Sequence, residues 1–513
     1  MPGAAGPSAA AVRRDPRGPT AFLRAFVFGT GAAVMAVEFG AERLMEPFFG
    51  SSQLVWASLI GLVLLALAVG YEVGGRVADR WPTARTLGYV TLASGVFVGL
   101  LPLMAEPFLS RVAGGLLGTA AGTVVGSLLA TVLLFMPPVA ALGVASPFAI
   151  RLAAAGDETS GSRAGSLYAY STLGSLAGTF LPAFWTIPSL GVRATFYLAS
   201  ALLIILGVLM ARAWRLAPAV LLPALLPLFA SPLLKPMPGL IGEWETPYQF
   251  AEVYRQPGGQ TALSVNDAAG IQSVYTRARL TGLYYDAYLV LPFLFPRRED
   301  VSTLLVGMAA GTIPTLLQRD VVPLRSVRVT GVEIDPRLVE LGRRYFHLTP
   351  EAARVVNADG RVFLETTHRR YRLMIVDAYS QEIYIPYYLT TREFFALCRS
   401  HLEPGGVVAL NVNAVSGRAA LLDAIERTAA SVFPHVYVAR APGLYNRLIV
   451  ASMRPLALPR AGALPSYLRP VERSLAATWA PAAPGPGLVL TDDRAPVETM
   501  TNQMILQELL RIL

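Results

Sequence analysis

Residues 373–386 read LMIVDAYSQEIYIP. An apolar run, Leu373 to Val376, stops abruptly at Asp377. A short apolar run that ends in a carboxylate reads as a buried parallel strand. In open α/β sheets the carboxyl ends of such strands are where ligands bind. Working outward, strands are expected at 303–307, 327–332, 354–357, 371–376 and 406–411. Helices are expected at 311–318, 336–346, 391–401 and 417–431. Strand–helix alternation implies a parallel sheet with helices on both faces. Before it, YQFAEVY, TALSV and IQSVYT are short, β-rich and separated by Gly, Pro and Asn. They predict a small antiparallel sheet.

Three acids fall at three successive strand ends. Glu333 follows VRVTGV, Asp359 follows ARVVNA and Asp377 follows LMIV. The first strand leads into GMAAG (307–311), whose small residues let a ligand approach the backbone at a helix N-terminus. An acid after the second strand is placed to bind ribose hydroxyls. Each acid alone also makes a good helix N-cap. Together they read as a nucleoside site with one carboxylate left for the reaction.

The rest of the chain is different in kind. The 513 residues have a mean hydropathy of +0.49, with 54% hydrophobic and 15% charged residues. Soluble domains carry about 25% charge. The apolar excess lies before about residue 235, which implies a membrane part followed by a soluble part. Apolar segments at 22–41, 54–74, 86–104, 167–189, 194–211 and 216–234 approach the ~20 residues that cross a bilayer. The uncharged stretch 112–150 is long enough for two crossings. Six to eight spans are expected. Arg13, Arg14, Arg17, Arg24, Arg76, Arg80 and Arg85 favour a cytoplasmic N-terminus and an even count, with six fitting the arginines better than eight.

The expected fold class is thus an α-helical transmembrane domain followed by an α/β Rossmann-like domain with a small N-terminal β-sheet. The expected divisions are a cytoplasmic tail (1–21), the transmembrane domain (22–235), the β-sheet subdomain (236–300) and the Rossmann-like domain (301–513). The implied location is the inner (plasma) membrane, multi-pass, with the catalytic domain cytoplasmic. Glu38 and Glu42 share one helix face in or just beyond the first span, at the interface or as functional intramembrane acids. GGRVADR (74–80) resembles the loop between the second and third helices of major-facilitator transporters. GSLYAYSTLGSLAGTF (165–180) predicts close helix packing.

The net charge of +9 does not point to nucleic acid: the arginines are scattered and no basic tract is interleaved with aromatics. Cys398, the single cysteine, excludes a disulfide framework, and the four histidines show no ligand spacing, so no metal site is expected.

The motifs YQFAEV, VNDAAGIQS, YYDAYLVLP, LLVGMAAGT, VEIDP, NADGRVFL, VDAYS and LEPGGVVALNV follow one another over about 245–412. In order and spacing they resemble the spermidine synthase (polyamine aminopropyltransferase) family, whose fold is of the class I S-adenosylmethionine-dependent methyltransferase type. With the preceding helices and the ending LTDDRAPVE (490–498), the whole resembles membrane-bound spermidine-synthase-like proteins of bacteria.

The resemblance implies aminopropyl transfer from decarboxylated S-adenosylmethionine, a donor substrate, to an amine such as putrescine, with no permanently bound cofactor. It implies that Gln249, Gly307, Glu333, Asp359 and Gly360 bind the donor, that Gln272, Tyr284, Tyr285 and Ser380 bind the acceptor, and that Asp377 is the base. The implied partners are the lipid bilayer and a small-molecule amine or polyamine, without nucleic acid; a homodimer is left open.

The chain departs from the family where Ala310 replaces an aspartate, Ser380 replaces the second acid of the acceptor motif, and Tyr284-Tyr285-Asp286 replaces Tyr-His-Glu. Glu382, or Asp492 and Asp493 in LTDDRAPVE, would replace the lost acids if the chain folds back; a surface Asp-Asp pair is equally read as a solvated turn. Two alternatives stay open. One is another adenosyl-donor enzyme, methyltransferase-like. The other is a transporter or sensor with a nucleoside- or polyamine-binding domain.

Overall fold

The computed structural model describes residues 18–50, 53–116, 120–153, 160–231, 233–266, 270–380, 383–414, 419–443 and 445–512. They form two compact units. One comprises Met1–Leu44, Trp56–Phe108 and Ser127–Ser231, the other Met45–Val55, Leu109–Gly126 and Pro232–Leu513.

The N-terminal part is helical. Among the described residues, five helices are long and apolar enough to cross a membrane: Ala21–Phe49, Val55–Arg80, Ala84–Val112, Val125–Ala153 and Val192–Ala211. Among the described residues of the stretch 112–150, where two crossings were expected, one such helix is found, Val125–Ala153. Pro137 and Pro138 do not break it, because a π turn at Thr131–Phe135 absorbs the mismatch and Pro137 and Pro138 fall in the first turn of the segment Met136–Gly143. The stretch 216–234 is not a long helix. Its prolines leave only the short turns Trp214–Leu221, Leu222–Leu225 and Leu226–Phe229.

The stretch 167–189 lies in the run of Ser160–Leu181, Pro182–Thr186 and Ile187–Leu190, whose Gly, Ser and Thr keep it less apolar than the five. Those small residues do set helices close. A Cβ on Gly174 would lie 1.9 Å from the Phe28 carbonyl oxygen, and one on Gly178 2.0 Å from that of Ala32. GGRVADR is not a loop but the end of the helix Gln53–Arg80, where Asp79 pairs with Arg151. Glu38 and Glu42 are half-buried on the first helix. The expected tail lies mostly outside the described residues.

The C-terminal part holds two sheets. Strands β1 (Leu240–Glu245), β2 (Phe250–Arg255), β3 (Thr261–Val265) and β4 (Ser273–Tyr275) form the expected antiparallel sheet in sequential order. The larger sheet contains β5 (Val301–Val306), β6 (Val327–Glu333), β7 (Arg354–Asn357), β8 (Tyr371–Val376), β9 (Leu402–Asn413), β10 (His435–Arg440), β11 (Asn446–Ser452) and the short β12 (Ala480–Pro481). Its order is β12-β10-β11-β9-β8-β5-β6-β7. Strands β7, β6, β5, β8 and β9 are parallel and β11 is antiparallel to β9. This is the class I methyltransferase-like arrangement. The helix Gly360–Thr366 was missed from sequence, although a parallel pair needs a crossover.

The two faces carry separate cores. One includes Leu305, Leu373, Ile375 and Val407; the other includes Leu304, Met374, Val376 and Phe394. Consecutive residues of one strand thus serve opposite cores, which is why the strands read as unbroken apolar runs.

Candidate active site

Strand order reverses between β5 and β8, and the crevice of an open α/β sheet lies outside the strand ends at that point. Val306 and Val376 are in register, and the Asp377 N–H donates to the Val306 carbonyl at 2.9 Å. The chain leaves β5 through Gly307 with φ +79°. A Cβ there would lie 2.5 Å from the Ala378 Cα. Only glycine tolerates both the backbone conformation and the approach.

A cavity of about 280 Å³ opens at this place. Eight of the ten expected site residues line it: Gln249, Gln272, Gly307, Glu333, Asp359, Gly360, Asp377 and Ser380. Its described wall includes three carboxylates, Glu333, Asp359 and Asp377, and no Lys, Arg or His. Tyr284 and Tyr285 stand behind the wall. The Tyr284 hydroxyl donates to Asp377 Oδ2 at 3.2 Å, whereas Tyr285 donates to the Ile271 carbonyl at 2.8 Å and packs on Tyr284. Asp286 accepts the Thr281 and Gly282 N–H groups and so closes a turn.

The three acids are held differently. Glu333, buried, takes the N–H groups of Met308 (3.1 Å) and Ala309 (2.7 Å) on Oε2 and that of Asp335 (3.0 Å) on Oε1. Burial raises its pKa and these bonds oppose the rise. Asp359 caps the helix Gly360–Thr366 through the N–H groups of Arg361 (2.9 Å) and Val362 (3.0 Å), and its Oδ2 accepts from the Tyr388 hydroxyl at 2.9 Å. The capping role is therefore real for Asp359, and it coexists with a place in the cavity wall.

Asp377 caps nothing, because residues 377–379 are irregular. Its Oδ1 accepts from Asn411 Nδ2 at 3.1 Å. The Tyr288 hydroxyl also faces this carboxylate, outside the geometry of a regular hydrogen bond. Asp377 is half-buried and lines the cavity. Desolvation pushes its pKa up to about 7, against the lowering effect of Asn411, Tyr284 and Tyr288.

Several contributors were not read from sequence. Asp335, fully buried, caps the helix Pro336–Tyr345 and accepts from Thr246 Oγ1 (2.7 Å) and Gln249 Nε2 (3.2 Å). It thereby ties the turn between β1 and β2 to the cavity. An Asp directly before Pro336 is a cap signature that was available. Asn411, Tyr288 and Tyr388 carried no such signal. Of the suggested compensating acids, Asp492 is engaged elsewhere: it pairs with Arg361 at 2.7 and 2.6 Å and accepts from Thr391. Neither Asp492 nor Asp493 lines the cavity. Glu382 lies outside the described residues.

Residues 311–453 match the spermine/spermidine synthase domain. The chain is 33% identical over 283 residues to a probable polyamine aminopropyl transferase of Bifidobacterium longum, which covers 50% of this chain and 61% of that protein. It is 33% identical over 166 residues to polyamine aminopropyltransferase 2 of Pseudomonas aeruginosa, covering 31% of this chain and 46% of that one. The chain thus spans less than two thirds of these relatives. Among solved structures, a probable spermidine synthase from Corynebacterium glutamicum aligns over 48% of this chain and 96% of its own, with 20% identity and a TM-score of 0.38.

Proposed function

We propose that the chain is a membrane-bound aminopropyltransferase. It moves an aminopropyl group from decarboxylated S-adenosylmethionine to an amine such as putrescine, with Asp377 as base and its catalytic domain in the cytoplasm. The observation that carries this reading is the charge of the cavity: three carboxylates and no cation among its described lining residues. Such a wall suits a cationic donor and a cationic acceptor. Among its described lining residues it offers no cationic side chain to the carboxylate that S-adenosylmethionine retains.

The reacting amine is protonated in water and must lose a proton before its lone pair attacks the carbon next to the sulfonium. The new C–N bond forms as the S–C bond breaks, and the electron pair returns to sulfur as neutral methylthioadenosine. Asp377 takes the proton from nitrogen. A carboxylate whose pKa lies near 7 is matched to that task at neutral pH. Gln249, Glu333, Asp359 and Gly360 line the part of the wall that the donor would occupy. The five long apolar helices support placement in the plasma membrane.

A second reading, transfer from another adenosyl donor to a less cationic acceptor, is favoured by one feature. Ala310 and Ser380 stand where the family resemblance calls for acids. Incubating the purified full chain with each adenosyl donor and a panel of amines, then weighing the products by mass spectrometry, decides between them. Aminopropyl adducts formed only from the decarboxylated donor support the proposal; methyl adducts from S-adenosylmethionine overturn it.

A further inference from the structure

Behind Asp377 runs a short chain of side-chain amides that the reaction as described does not use. Asn446, the first residue of β11, pairs with Asn413 across the antiparallel ladder to β9. Its Nδ2 donates to Asn413 Oδ1 at 2.8 Å and to Asn411 Oδ1 at 3.1 Å. Asn411 in turn donates from Nδ2 to Asp377 Oδ1 at 3.1 Å. The Asn411 backbone is fixed as well: it sits in the ladder opposite Leu448, and its carbonyl accepts from the Tyr379 hydroxyl at 2.9 Å.

We propose that Asn446 is a positioning residue for Asp377, acting through Asn411 to keep an N–H donor turned toward the carboxylate. This rests on the reading of Asp377 as base. A side-chain amide has two N–H hydrogens at one end and an oxygen at the other. Both hydrogens of Asn446 meet an oxygen. Turning its amide around would set its oxygen against two oxygens. In this arrangement Asn411 shows its oxygen to Asn446, which leaves its NH₂ for Asp377. The tyrosine hydroxyls offer no equivalent constraint, because a hydroxyl rotates and either donates or accepts.

The consequence concerns protonation. A donor held against a carboxylate favours the ionised form, and burial favours the neutral one. The groups that face Asp377 from the surrounding elements are Tyr284, Tyr285 and Tyr288 on the turn before β5, Tyr379 after β8, and Asn411 on β9. Glu333 and Asp359 share the cavity wall. No Lys, Arg or His among the described residues contributes to the Asp377 shift. Among the described residues the amide relay is thus the donor to Asp377 that does not rotate freely, and it favours the ionised form.

The test is made on the full chain in detergent. Asn446→Leu keeps the volume and removes both donors; Asn411→Leu removes the direct donor; Asn413→Ala leaves the Asn446–Asn411 bond intact. Transfer rate is measured against pH. The acid limb of Asn446→Leu should move up by about 0.5–1 unit, so that rates below the midpoint fall roughly 3–10-fold and meet the wild type at high pH. Asn411→Leu should move it further and Asn413→Ala less. In parallel, the infrared carboxyl band of Asp377, identified by its loss in Asp377→Asn, is titrated; its midpoint should follow the same order. A wild type without transfer but with displaced infrared midpoints would defeat the transferase reading and leave the relay standing. An infrared midpoint unchanged in Asn446→Leu, or a rate lowered equally at every pH, overturns the relay.

Discussion

Glu333 and Asp377 end strands on either side of β5, and both carboxylates are pushed up by burial. What holds them differs. Glu333 is gripped by three backbone N–H groups from residues 308, 309 and 335. Backbone donors cannot rotate away, so this anion is fixed, with room left on its oxygens for a ligand hydroxyl. Among the described residues the Asp377 carboxylate is met by side chains, the Tyr284 and Tyr288 hydroxyls and the Asn411 amide. The one environment suits binding. The other leaves a carboxylate that can gain and lose a proton. Two acids at neighbouring strand ends are thereby separated into an anchor and a base.

The strongest way to break that contrast is Asp377→Asn. The substitution keeps shape and removes the proton acceptor, while the groups lining the donor region stay in place. Turnover should fall roughly 10²–10⁴-fold, the usual contribution of a positioned base. Donor affinity, measured by calorimetry with methylthioadenosine, should hold. A mutant with near-normal turnover would end the proposal for Asp377.

The same substitution should stabilise the fold, with a defined pH dependence. An Asp raised from 3.8 to about 7 contributes stability that is fully present below pH 3.8 and lost as pH rises through 7. At pH 8 the wild type carries a buried charge that costs about 2–4 kcal/mol, after allowance for water in the cavity. Asp377→Asn is exempt from that cost. It should melt higher than wild type at pH 8 and about equally at pH 4. Equal melting at pH 8 would mean that the carboxylate is better solvated than its surroundings imply.

The contrast itself was half legible. The acids at 333, 359 and 377 stood out because apolar runs break sharply into carboxylates, and the parallel sheet, though not its strand order, followed from the alternation. The partners that distinguish them were not legible. Asn411 reaches Asp377 only because β9 pairs with β8, and Asn446 reaches Asn411 only because β11 returns antiparallel beside β9. Neither pairing leaves a local trace in sequence. The helix Gly360–Thr366 escaped because seven residues hardly establish a 3.6-residue period. Length misled at 112–150, where a π turn at Thr131–Phe135 lets one helix run on past Pro137 and Pro138.

Glu333→Gln sharpens the other side of the comparison. An amide nitrogen would face at least one of the three N–H groups that Glu333 now accepts. Methylthioadenosine affinity should weaken by about 1.5–3 kcal/mol, the worth of a charged hydrogen bond, with little change in the pH midpoint of turnover. A displaced midpoint with intact affinity would exchange the roles of the two acids.

The smallest effect is expected at Asp492, an acid that would have served the acceptor had the chain folded back over the site and that does not line the cavity. Asp492 grips Arg361 through both oxygens and accepts from Thr391, joining the start of the helix Gly360–Thr366 to that of Arg392–Ser400. The pair is partly exposed, with side chains 19% and 42% accessible, so screening limits its value. Asp492→Asn should cost about 0.2–1 kcal/mol of stability at pH 7. The Arg361 guanidinium holds the Asp492 pKa below the usual carboxylate range. Its contribution is therefore present above the unfolded-state pKa and fades as pH falls through the lower folded value, where the mutant and wild type should melt alike. Turnover on a polyamine should be unchanged, since Asp492 does not line the cavity. A raised KM for the amine in Asp492→Asn, without loss of stability, would return this residue to the acceptor side and show that the closing segment 490–498 bends over the site when substrate is bound.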